Sequence, residues 1–304
     1  MKKINFFKGM VLVFASLLLF GCGGGGSSDD GSIDVTDSPQ PPPSAVDDPL
    51  PVTPITPPPP PPPPQAVVDD PPPPEVPVPM YISSGVGTQS PPSHLHTIIP
   101  ETGEIATDIG RITVAETGLE PAITDLAVTP GGLLYGCSYD TLYLINTQTA
   151  LATDLGSLGV SGVNALAFNK TTGFLYGGTT SGKILNINPN KPQEATVLFE
   201  LSPGYSSSGD MVFSPEGILY ASLKREGQED DFIAVIDLEN GTFQTLNETG
   251  SGAINIFGLS YFNGELYGVT AASTTAYGMI WWIDLPTGKA IFIDVLPFSA
   301  FGSN

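Results

Sequence analysis

Gly217-Ile218-Leu219-Tyr220 recurs along the chain as Gly132-Leu-Leu-Tyr135, Gly173-Phe-Leu-Tyr176 and Gly264-Glu-Leu-Tyr267. Met80-Tyr81 is a fifth copy without its glycine. The tyrosines at 81, 135, 176, 220 and 267 lie 54, 41, 44 and 47 residues apart. Repetition at that period marks a solenoid, a propeller or an array.

The runs around each phrase decide among these. After each Tyr comes an apolar run ending in Asn or Asp: Leu142–Asn146, Ile184–Asn188, Ile233–Asp237 and Ile280–Asp284. The first repeat offers Leu95–Ile99 in the same place. A tight polar turn follows, then another run, as in Ala152–Leu155, Thr196–Phe199, Phe243–Leu246 and Ile291–Asp294. Before each phrase lies one more: Thr124–Val128, Asn164–Phe168, Gly209–Phe213 and Phe257–Tyr261. Short runs rich in β-branched and aromatic residues, punctuated by Gly, Pro, Asn and Asp, are strands and turns. Four strands per unit make a propeller blade, and the chain is expected to be all-β. We call the strands of a blade A to D from the axis outward, the Gly-x-Leu-Tyr run being B. The phrase glycines fall in the A–B turns, where a positive φ is expected.

Five B strands but only four complete blades are visible. The first repeat lacks an A strand, and Pro297–Asn304 follows the last D strand where an A strand belongs. The expectation is a five-bladed ring over 80–304, closed by Phe298–Phe301 pairing beside Met80–Ser83, which leaves no open edge. Strand alternation places the B–C and D–A loops at one end. Several are long, and variable loops on a rigid scaffold are where binding sites usually sit.

Residues 1–21 read as a signal peptide. Lys2, Lys3 and Lys8 precede the apolar run Met10–Phe20, too short for a comfortable membrane span. Leu19-Phe-Gly-Cys22 resembles the bacterial lipobox. The resemblance implies cleavage before Cys22, a diacylglycerol on its thiol and acylation of the new amino terminus. In Gram-negative lipoproteins Asp after the Cys favours the inner membrane; here Gly23 implies the outer membrane. Residues 22–79 then form a tether, glycine-rich at first and proline-rich later, with eight prolines at 57–64. Such a segment cannot bury a core and favours polyproline II, reaching on the order of 150 Å if extended.

The formal charge of the chain is −21, and losing the three leader lysines takes it to −24. That balance repels nucleic acid and anionic headgroups, leaving the lipid as the expected membrane contact. The sequence offers no catalytic elbow, dinucleotide fingerprint, phosphate loop or zinc-protease motif, and so no catalytic residue, cofactor or metal site. Cys137, the one Cys within 80–304, reads as a small buried hydrophobe. His94 and His96 share one side of a strand and could bind zinc, but no Cys or acidic third ligand is near in sequence, so they read as structural. By register His96 should align with Tyr143, Leu185, Ala234 and Trp281. Asn146, Asn188, Asp237 and Asp284 end their strands before a turn and should hydrogen-bond within it. The candidate binding residues are Asp125, Asn164 and Asp210 at the starts of A strands, and Glu229, Asp230 and Asp231 in a B–C loop read as solvated.

Leu134-Tyr-Gly136, Leu175-Tyr-Gly177, Leu266-Tyr-Gly268, Ile283-Asp284 and Thr287-Gly288 resemble the repeats of YVTN-like and quinoprotein-dehydrogenase-like bacterial propellers. That resemblance implies the fold but no activity, since the cofactor-binding residues of the dehydrogenases have no counterpart here. The expected function is a non-enzymatic outer-membrane lipoprotein, periplasmic or surface-exposed, that binds or scaffolds a protein or polysaccharide. The alternative is a lyase or hydrolase acting on glycan or lactone, with an axial site on the long-loop face.

Overall fold

The computed structural model describes residues 79–85, 92–248, 250–271 and 277–303. Residues 1–78, which hold the expected signal peptide, Cys22 and all but the last residue of the expected tether, lie outside the described residues, as do parts of two B–C loops.

Chain order is simple. The first blade begins with β1 (Met80–Ser84), β2 (His94–Ile99) and β3 (Glu104–Arg111), and the two-residue β4 (Thr113–Val114) follows. Blade two is β5 (Asp125–Val128), β6 (Leu134–Cys137), β7 (Thr141–Ile145) and β8 (Leu151–Ser157). Blade three is β9 (Val163–Phe168), β10 (Leu175–Thr179), β11 (Lys183–Ile187) and β12 (Thr196–Glu200). Blade four is β13 (Tyr205–Phe213), β14 (Leu219–Arg225), β15 (Phe232–Asp237) and β16 (Thr242–Thr245). Blade five is β17 (Ile256–Phe262), β18 (Glu265–Ala271), β19 (Gly278–Asp284) and β20 (Lys289–Leu296), and β21 (Ala300–Ser303) comes last. Among the described residues there is no α-helix, only a 3-10 turn at Pro192–Glu194.

The expected closure is present, shifted by two residues. β21 pairs antiparallel with β1, Ile82 opposite Ser303 and Ser84 opposite Ala300, and becomes the A strand of blade one. Ser83 Oγ donates to the Phe301 carbonyl. Phe298 precedes the strand and stacks on His96 instead of pairing with β1. β4 was not legible in the sequence. It runs parallel to β8 and adds a fifth strand to blade two, seating Val114 in the core.

The core is five radial seams, one per pair of neighbouring blades. Tyr176 and Ile184 of blade three meet Met211 and Phe232 of blade four, and Tyr220 of blade four meets Leu259 and Leu266 of blade five. The seam of Val269, Ile280 and Leu296 against Met80, Ile82 and Ala300 joins blade five to blade one and seals the ring. Tyr81, Tyr135, Tyr176 and Tyr220 are thus seam residues, each packed in the seam with the following blade. Wherever φ is positive at the phrase glycines, between 73° and 89°, a side chain would meet nothing within 4 Å, so the requirement there is backbone conformation alone.

The strand-end amides and carboxylates behave as expected. Asn146 Oδ1 accepts from the Gln148 and Thr149 amides, and Asp237 Oδ1 from those of Glu239 and Asn240. Such turns fix the C–D hairpins from within.

Candidate functional site

Antiparallel alternation puts the start of every A strand at one end of the axis and the A–B turns at the other. Asp125 opens β5, and Asp210 lies in β13. The two meet across the axis in a side-chain hydrogen bond, and both are fully buried. Their remaining lone pairs are taken by backbone amides. Asp125 Oδ1 accepts from Leu126 N at 2.8 Å and Oδ2 from Leu166 N of blade three at 2.5 Å. Asp210 Oδ1 accepts from Met211 N, and its Oδ2 from Leu259 N of blade five and, at 3.4 Å, from Ser303 N of blade one. Burial drives both carboxyls well above their ordinary range, and for Asp125 the facing Asp210 adds to this. Two adjacent buried carboxylates cannot both ionise, so the pair holds a proton.

The other candidates are also spent on the scaffold, or lie apart from it. Asn164 Nδ2 donates to the Ser207 and Ser208 carbonyls of blade four, at 3.3 and 3.0 Å. The acidic loop divides: Glu229 is exposed, Asp230 is half-buried with Oδ2 accepting from Gly252 N at 3.1 Å, and Asp231 is buried, which corrects its reading as solvated. Asp231 Oδ2 accepts from Ser208 Oγ at 2.6 Å and from Ile256 N, the start of β17, at 2.5 Å. Lys224 Nζ stands 3.4 Å from the other oxygen, an ion pair short of a directed hydrogen bond. Burial raises the Asp231 carboxyl despite that cation. Ser93, which likewise immediately precedes its C strand, performs the same task in blade one by accepting from Ile123 N at 2.9 Å. Cys137 is buried, and desolvation pushes its thiol up to about 12, so it is inert as a nucleophile.

The polar groups at the A-strand starts therefore converge on one another and on backbone, not on a chamber. The concave space of the axis is at the other end. A cleft of about 540 Å³ opens among the A–B turns, lined by A strands of blades two to five. Leu126, Leu166 and Met211 form its floor, while Asn169, Lys170 and Asn263 belong to its turns. Attention to the long loops missed it. Its sequence signal is weak, because the A-strand ends that line it look like any other core strand.

His96 takes the expected register: it pairs with Ile82, directly after Tyr81, as Tyr143, Leu185, Ala234 and Trp281 pair with the residue after their own anchor tyrosine. The sequence missed a neighbour. Asp108, on β3, lies opposite His96 and within 3.1 Å of His94 Nδ1.

No protein-family model matches the chain, and no curated protein matches it in sequence. Among solved structures, the chain is similar to one from a nidogen/laminin complex, at 12% identity and a TM-score of 0.48, over 74% of this chain and 97% of that one. TolB from Acinetobacter baumannii is similar at 14% identity and 0.44, over 70% of this chain and 52% of that one. A protein of unknown function from Bacteroides caccae is similar at 14% identity and 0.40, over 72% and 73%.

Proposed function

We propose that the chain is an outer-membrane-anchored lipoprotein, lipidated at Cys22, whose propeller binds or scaffolds a protein or polysaccharide partner. One observation carries the binding reading: the buried acids of the axis are committed to interblade hydrogen bonds, while the axial cleft at the A–B turns is open and combines an apolar floor with polar turns. That composition suits recognition. A lyase or hydrolase would need acids that a substrate can reach, and Asp125 and Asp210 are sealed. The lipobox-like Leu19-Phe-Gly-Cys22 supports the anchor, and the proline-rich stretch supports display at a distance from the bilayer.

The test separates the two halves of the reading. Cys22→Ser should move the protein out of the membrane fraction; sedimentation of the variant with outer membrane after a high-salt wash would refute the anchor. For the cleft, partners captured by the wild type from envelope extract should be lost from Lys170→Glu combined with Phe262→Arg at unchanged melting temperature. Equal capture by both proteins would place recognition elsewhere.

A further inference from the structure

The geometry points to a divalent transition-metal site, of the kind that takes Zn²⁺, built from His94, His96 and Asp108 on the outer strands of blade one. β2 supplies both imidazoles, which leave the same face because they are two residues apart. β3 supplies the carboxylate. Its register slips between Leu95 and His96, and this bulge sets Asp108 opposite His96.

The three ligand atoms lie within 4.8 Å of one another. His94 Nδ1 is 3.1 Å from Asp108 Oδ1, and His96 Nδ1 is 3.4 Å from the same oxygen. A tetrahedral ion with bonds of about 2.0–2.2 Å to nitrogen and oxygen has ligand-to-ligand edges of roughly 3.3–3.6 Å. Two edges of the triangle therefore stand within a few tenths of an ångström of ligating separation.

His96 distinguishes this cluster from a surface His–Asp pair. The residue is 6% exposed, and its Nδ1 is buried without a hydrogen-bond partner. Its Nε2 is 3.1 Å from Ser84 Oγ, and Phe298 stacks on the ring with centroids 4.4 Å apart. With Nε2–H donating to Ser84, Nδ1 presents a lone pair to a carboxylate oxygen. Two acceptors then face each other over 3.4 Å, an arrangement that a cation between them satisfies on both sides. The Ser84 contact is the kind of supporting hydrogen bond that fixes a ligating imidazole. Binding needs no redox change. The ion takes one lone pair from each Nδ1 and one from the carboxylate, the His94 Nδ1 proton passes through water to its Nε2, and water fills the fourth position.

The experiment titrates Zn²⁺ into the full chain, free of any histidine tag and carrying Cys22→Ser so that no accessible thiol competes. Calorimetry should find one saturable site, and Co²⁺ should give the visible absorption of a tetrahedral ion. His94→Asn and Asp108→Asn alter accessible side chains and should keep the fold, as the unchanged melting temperature without metal will show. Each should weaken Zn²⁺ binding by about tenfold or more and abolish the Co²⁺ spectrum, and so should His96→Gln where it folds. Binding that survives Asp108→Asn undiminished, the absence of a saturable site, or equal competition by Ca²⁺, which would assign the ion to acidic loops, overturns the site.

Discussion

Asp125 and Asp210 are hydrogen-bonded to each other across the propeller axis, and between them they touch every blade. Asp125 belongs to blade two and binds an amide of blade three; Asp210 belongs to blade four and binds amides of blades five and one. A ring of separate sheets is thus pinned at one point by a pair of carboxyls and the proton they hold.

That proton makes stability depend on pH. Both carboxyls have folded-state values raised by burial, so the folded protein holds protons that the unfolded chain releases. The stabilisation is present in full below the ordinary Asp value near 4 and is lost as pH rises towards the folded values, at up to about 1.4 kcal/mol per pH unit for each proton. Asp231, also raised, acts in the same sense. His96, lowered chiefly by burial, acts oppositely and costs stability as pH falls below the ordinary histidine range. Above the ordinary histidine range His96 is silent, so a fall of the melting temperature with rising pH there belongs to the carboxyls. Asp210→Asn should flatten that slope. An unchanged slope in the variant would mean that the pair is not its source.

Two glycine substitutions should separate two kinds of cost. Gly217 has φ +89° and open space around it, so Gly217→Ala should cost about 1 kcal/mol of backbone strain. Gly302 has φ +60°, and a Cβ there would stand 2.5 Å from Asp125 Cα. Gly302→Ala must displace either the closing strand or the carboxyl pair, and denaturant unfolding should show a loss several times larger. Equal losses would contradict the tight axis.

Removal of residues 297–304 deletes β21, bares the inner edge of β1 and uncovers Met80 and Ile82. Burial of one such side chain is worth roughly 1.5–3 kcal/mol against a typical domain stability of about 5–15 kcal/mol. The truncated protein should melt many degrees lower or aggregate. Deletion of eight residues from the proline tract should leave melting unchanged, and identical melting of the two would contradict closure by β21.

Cys137 should resist thiol reagents in the native state, because its thiol is both buried and pushed up to about 12. In a Cys22→Ser chain, maleimide labelling should appear only once denaturant unfolds the propeller. Prompt labelling would show that the seam between blades two and three opens readily.

The blades were legible because one phrase repeats with its glycine, and because the alternation around it sets both strand order and register; the position of His96 followed from that alone. What stayed hidden depends on neighbours across the sheet. Asp108 faces His96 only because β3 bulges at that point, and nothing in the local sequence fixes the slip. Asp231 sits among other acids in the chain, yet its place just before a C strand turns it inward to the next blade, as with Ser93. β4 is too short to carry any periodicity.

The hydrogen bond from Ser83 to Phe301 spans 218 residues. Among the described strands, β1 is the earliest to be synthesised and β21 the latest. Until β21 arrives, the first blade is a three-stranded sheet with a bare inner edge, open to mispairing with any extended segment nearby. Such distant contacts slow folding, and the ring cannot close before β21 has been made. The blade that is begun first is finished last, and the interval between those events is when this protein most needs protection from aggregation.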